Sequence, residues 1–213
     1  MRTTDMNGSV APALLAALAL FLCASLPVRC AVPEPAAAKR FFIGAAGGYF
    51  RPGQASFRRI YDRPAWPIEL QLGWALDRKL TILGGARYLR ATGRTVLVQA
   101  WLPDEAYAVR LDVLALRFGL NYGLGLGRFA PFFGAGIQYV FYREKWLDVS
   151  LEAKGGKTGF FALGGGRWRL GRSLHALLQL EYSNVPAGEG SGVSERANLG
   201  GLGLSLGIRA GIL

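Results

Sequence analysis

The stretch IELQLGWALD, residues 68–77, places Ile68, Leu70, Leu72, Trp74 and Leu76 on one parity and Glu69, Gln71, Gly73, Ala75 and Asp77 on the other. Successive side chains of an extended chain point to opposite faces, so this alternation writes one apolar face and one polar or small face. A helix of 3.6 residues per turn cannot produce it. The same pattern returns at Leu174–Ser183, where Leu174, Ala176, Leu178, Leu180 and Tyr182 share a face. It returns again near the carboxyl end, where Leu202, Leu204, Leu206, Ile208, Ala210 and Ile212 oppose Gly201, Gly203, Ser205, Gly207, Arg209 and Gly211.

Five further segments read as strands: Phe41–Phe50, Leu80–Arg90, Tyr107–Tyr122, Phe129–Tyr142 and Gly159–Leu170. The apolar parity of the 107–122 segment changes between Val113 and Leu114, which predicts a β-bulge that would restore a single apolar face. Short turns are expected at residues 77–79, 123–128 and 171–173. Long loops are expected at about 51–67, 91–106, 143–157 and 184–197, rich in Gly, Pro and charge. Short turns on one end and long loops on the other, over eight alternating segments, predict an all-β fold: an eight-stranded antiparallel up-and-down transmembrane β-barrel over 41–213.

Composition agrees. Of 213 residues, 51% are hydrophobic and 18% charged, which excludes a disordered chain. Gly at 30 residues with 12% aromatics favours β structure, and the formal charge of +11 would suit an anionic membrane surface. Nucleic acid would also suit that charge, but no basic stripe on a known binding module is present, so no nucleic-acid partner is expected. The two cysteines lie at Cys23 and Cys30, outside the expected fold, and no zinc or redox spacing occurs. No metal, cofactor or catalytic residue is expected.

The face that meets lipid follows from cost. With the Ile/Leu/Trp parity inward, Arg87, Arg117 and Arg209 would face the surroundings, at about 2 to 4 kcal/mol each at a bilayer midplane. The apolar parity is therefore expected outside, with glycines and a few long polar chains filling a narrow lumen. A soluble lipocalin-like barrel with an apolar pocket is the alternative, and it would need a solvated outer face that the glycine-rich parity supplies poorly. Glu69, Gln71, Arg87, Arg117, Glu181 and Arg209 are the expected lumenal network. A turn centred on Lys79 would set Gln71 opposite Arg87 and bring Glu69 within reach of Arg87, with Glu181 as a second partner across the lumen. Such a network plugs the barrel; a narrow ion-conducting pore is the alternative. Arg51, Arg58, Arg59 and Arg63 crowd the first long loop beside Tyr61 and Trp66, a set suited to gripping lipopolysaccharide phosphates.

The segments FFIGAAGGYFRP (41–52), APFFGAGIQYVFY (130–142) and NLGGLGLSLGIR (198–209) resemble the first, fifth and last strands of the small outer-membrane β-barrel family of Gram-negative bacteria, the OmpA-type transmembrane domain and its OmpX-like relatives. The resemblance covers about residues 40–213. It implies an outer-membrane location, a structural or surface-interaction role without enzymatic activity, and biogenesis through the barrel assembly machinery. Contact with membrane lipid and a monomeric state are expected as well. Members commonly end in an aromatic residue, whereas this sequence ends Ile212-Leu213. A peptidoglycan-binding module after Leu213, and with it a wall-anchoring role, is not expected. The fragment Glu181-Tyr182-Ser183-Asn184 resembles the His-x-Ser-Asn stretch of lipid A deacylase barrels, but Glu181 stands in the His position. His175 lies about 26 Å along the strand from Ser183, so a lipid A-modifying enzyme is the weaker reading.

Ahead of the barrel, the uncharged apolar run Val10–Leu26 follows Arg2 and precedes Pro27. This is the layout of a secretory signal with a cut after Ser25, Cys23 and Ser25 supplying the small side chains. Residues 1–31 are read as signal peptide and short N-terminal segment, and 32–40 as linker.

Overall fold

The computed structural model describes residues 41–61, 65–96, 106–125, 127–148, 151–187 and 197–212; the expected signal peptide and linker lie outside them. Eight strands are present: β1 (Phe41–Pro52), β2 (Ile68–Ala75), β3 (Leu80–Val96), β4 (Ala106–Gly123), β5 (Phe129–Trp146), β6 (Leu151–Arg169), β7 (Leu174–Asn184) and β8 (Gly201–Gly211). A short helix, α1 (Ala55–Ile60), follows β1. Each strand pairs antiparallel with its neighbours in sequence, and β8 pairs with β1, so the sheet closes into a barrel. Closure satisfies every edge, which an open sheet in hydrocarbon cannot do.

The apolar parity faces outward. Leu70, Leu180 and Leu206 are 57%, 50% and 67% exposed, while Gln71 is 1% and Arg117 5% exposed. That inversion of a soluble protein's arrangement requires an apolar medium outside the wall. Aromatic side chains mark two levels on this exterior. Near the short turns, Phe41 stacks on Trp74 at 5.7 Å and Phe129 lies against Trp168 at 4.5 Å. Toward the long loops, Tyr49 meets Trp66, Tyr139 meets Phe141, and Phe160 meets Tyr182. The two levels are eight residues apart on β1 (49 − 41 = 8) and on β6 (168 − 160 = 8), roughly 26 Å along each strand. With strands tilted by 35–45°, the band between them is about 20 Å high, on the scale of a barrel's apolar belt.

The tilt is visible in the register. Direct pairing runs from Arg169 to His175, Arg209, Gly44, Gln71, Gly85, Arg117, Gln138 and back to β6 at Gly159. The circuit returns displaced by 169 − 159 = 10 residues, the stagger that closure of a tilted sheet demands.

Three expectations change. The predicted bulge in β4 is absent: its ladders to β3 and β5 keep one register throughout. Val109, Leu111 and Val113 point inward and are buried, while Leu114, Leu116 and Phe118 point outward and are exposed. The change of parity marks the height at which the lumen itself turns apolar. Next, the stretches at 91–96, 143–146 and 151–157 are strand rather than loop, with Val96 paired to Ala106 and Trp146 to Leu151. Above the belt the outer face carries charge, so the hydrophobic signal ends while the backbone ladder continues. Finally, the first turn is two residues longer than expected, so Ala75 rather than Asp77 pairs with Thr81. Asp77 shapes that turn: the Lys79 and Leu80 amides donate to its Oδ1 at 2.6 and 2.7 Å. These two donors hold its carboxyl below the ordinary value of 3.8. The other two turns fall near their expected places, with Gly127 supplying the left-handed φ of 67° between β4 and β5.

Candidate functional site

The lumen is filled in three layers. At the short-turn end Phe42, Leu83, Phe132, Phe161, Leu163 and Leu177 form an apolar cluster. Glycines make the room for it: a Cβ on Gly73 would lie 1.8 Å from Phe42 Cζ, and one on Gly136 would lie 2.8 Å from Phe161 Cζ. At the long-loop end a second cluster gathers Leu89, Val109, Leu111, Val140, Tyr142 and Val185 under Phe57 and Tyr61. Phe57 lies in α1 and Tyr61 follows it directly, their rings 4.5 Å apart. The helix fits close because Gly93 presents no side chain to it; a Cβ there would lie 1.9 Å from the Ile60 carbonyl oxygen.

Between these layers lies the polar belt. Arg117, on β4, donates from Nη1 to Glu69 Oε1 on β2 at 2.8 Å and from Nη2 to Glu181 Oε2 on β7 at 2.7 Å. Arg87 donates to the other oxygen of Glu181. Gln71 Nε2 lies 3.0 Å from Glu69 Oε1 and 3.3 Å from Gln179 Oε1, and its own Oε1 accepts from Arg209 Nη2 at 3.1 Å. Each guanidinium also covers an aromatic ring: Arg117 on Phe161 at 4.0 Å, Arg209 on Phe42 at 3.8 Å and Arg87 on Phe50 at 4.7 Å. The rings belong to the apolar layers, so cation–π contact couples the belt to both of its neighbours.

All six residues expected in the lumen are therefore inward and buried, and five cross-lumen or neighbouring hydrogen bonds join them to one another. The partner assignment differs from expectation. Glu69, not Gln71, stands directly opposite Arg87, and Gln71 faces Gly85. The ion pair of Arg87 is with Glu181, while Glu69 takes Arg117. The longer turn shifts the register by two residues, and the narrow bore lets a long side chain reach across rather than along the wall. Buried Gln138 and the aromatic undersides were not singled out by sequence reasoning; Phe161 shares the parity of Gly159 and Leu163, the only signal that would place it inside. Ser183 and His175 stand on β7, eight residues apart (183 − 175 = 8).

Of the arginines expected in the first long loop, Arg51 lies in β1, and Arg58 and Arg59 lie in α1. Arg51 and Arg59 are exposed, and Arg58 donates from Nη1 to the carbonyls of Pro52 and Gly53 at 2.9 and 2.8 Å. Arg63 lies outside the described residues.

No protein-family model matches the chain, and no curated protein matches its sequence. Solved structures do match in shape. Neisserial surface protein A superposes with a TM-score of 0.59 at 11% identity, over 81% of this chain and 97% of that one. This is the fold of the small outer-membrane β-barrels. Outer membrane protein OprG from Pseudomonas aeruginosa gives the same result, with a TM-score of 0.55 at 12% identity over 81% of this chain and 95% of that one. At these identities the likeness is one of fold, that of small eight-stranded outer-membrane barrels.

Proposed function

We propose that the chain is an integral outer-membrane barrel with a structural or surface-interaction role, its lumen plugged rather than conducting. Residues 1–31 serve as the export signal and 32–40 as a linker, the barrel assembly machinery inserts the domain, and it works as a monomer. Arg51 at the end of β1 and Arg58 and Arg59 of α1, together with Arg63, are the residues that would contact lipopolysaccharide phosphates in the outer leaflet.

One observation carries the plug. Arg117 holds carboxylates from β2 and β7 at once, with an apolar layer above and another below it. A small cavity of about 10 Å³, room for roughly one water, lies where Glu69, Arg87 and Glu181 approach the wall residues Ala46, Tyr49 and Leu204. Ions would have to break buried, paired charges to pass, at a cost of several kcal/mol per group.

Planar-bilayer recording tests this. The purified protein is expected to insert without steady unitary openings. Steady openings that disappear in Arg87→Ala would overturn the plug and establish the narrow pore instead.

A further inference from the structure

Four strands, β3 to β6, continue well past the upper aromatic level, whereas β1 ends three residues beyond Tyr49 (52 − 49 = 3) and β7 two beyond Tyr182 (184 − 182 = 2). Ile68 begins β2 opposite Tyr88, and β3 runs on to Val96. The outer face of this higher wall carries two charged rows. The first is Arg90, Asp112, Arg143 and Lys154, each directly paired with the next across the strands. The second, one step higher, is Thr92, Arg110, Lys145 and Glu152. Together they hold five cations and two carboxylates, a net of 5 − 2 = +3.

The carboxylates organise this surface without neutralising it. Asp112 accepts from Arg90 Nε at 2.7 Å and lies 3.4 Å from Arg110 Nε. Glu152 accepts from Arg143 Nε and Nη2 at 2.7 and 2.9 Å, with Lys145 Nζ at 3.6 Å. Arg90 is bound through its Nε with its side chain 56% exposed, and Lys154 makes no ion pair among the described residues. Below the first row, Tyr88 donates to Asp112 at 2.6 Å, which ties the charged rows to the aromatic level. Arg90 stands two residues beyond Tyr88, about 7 Å along the strand. Such a height faces the headgroup layer sideways rather than open water.

We infer that the outer face of β3–β6, immediately above its aromatic level, is a binding surface for the phosphate groups of a phosphorylated lipid in the adjoining leaflet. This rests on the membrane-embedded reading above and puts the phosphate contact on the wall of the barrel, separate from the first loop. Phosphate oxygens suit an array of outward guanidinium and ammonium donors, and the lateral placement suits a ligand held in the plane of the bilayer.

The protein would be inserted into phosphatidylcholine vesicles containing diphosphorylated lipid A, or the same lipid stripped of phosphate. Lipid retained after extraction would then be read by native mass spectrometry. Wild type is expected to keep the phosphorylated form and not the stripped one, and Arg90→Gln/Lys145→Gln/Lys154→Gln to keep about tenfold less. Raised salt should lower retention by wild type in the same way, which needs no substitution. Equal retention of both lipids, undiminished retention by the triple variant, or full displacement by inorganic phosphate would overturn the inference. Loss of lipid in Arg51→Gln/Arg59→Gln, with the triple variant unaffected, would overturn it while leaving the loop reading intact. Failure of the protein to insert at all would overturn both.

Discussion

Arg117 joins elements that are not neighbours in the sheet. Its two terminal nitrogens hold Glu69 on β2 and Glu181 on β7, and its plane rests on Phe161 of β6. A buried guanidinium is expensive to desolvate, and charge-assisted hydrogen bonds to two carboxylates offset that cost only while both are present. Glu181 is the more exposed to loss, because Arg87 and Arg117 both depend on it. Glu181→Gln is therefore expected to destabilise the barrel by about 3 to 5 kcal/mol, read from urea unfolding in detergent micelles. Glu152→Gln breaks a solvated pair with Arg143 and should leave the unfolding midpoint unchanged. At this scale the sequence reveals much: parity alone tells that Glu69, Arg87, Arg117, Glu181 and Arg209 face one way. It does not reveal who pairs with whom, because partners are chosen across a lumen whose stagger is a property of the closed sheet.

Strands obey the alternation only where both faces have a definite medium. Across the belt the contrast between hydrocarbon and lumen is sharp, so Ile68–Ala75 and Gly201–Gly211 can be traced from side-chain order. Above it the code changes: Arg90 and Thr92 face out while Leu89 and Ala91 are buried, and charge outside looks like loop. α1 was equally hidden, a single amphipathic turn and a half whose Phe57 finds its partners only in the assembled cluster. Glycine pairs between strands are a second feature that composition shows without explaining. Gly119 and Gly136 face each other across β4 and β5, and a Cβ on Gly136 would sit 2.6 Å from the Gly119 Cα and 2.2 Å from the Phe118 carbonyl oxygen. Backbone cannot yield as a side-chain tip can. Gly136→Ala is expected to cost about 1 to 3 kcal/mol in the same unfolding measurement, whereas Gly84→Ala, which meets nothing within 4 Å, should cost far less.

The whole molecule is held by a continuous ring of ladders, and the seam between β1 and β8 runs unbroken from Phe42 paired with Gly211 to Pro52 paired with Gly201. With no free edge and a braced lumen, unfolding has no peripheral strand at which to begin. The purified protein is expected to stay folded in sodium dodecyl sulfate at room temperature and run faster on a gel than after boiling. Identical mobility before and after heating would show that the ring opens readily. The wall, though, is not equally high all the way round. A cylinder raised along one flank has a front and a back, so neighbours drifting in the bilayer plane meet different molecules depending on their direction of approach. If the raised flank keeps its own shell of lipid, contact with other proteins is left to the low side.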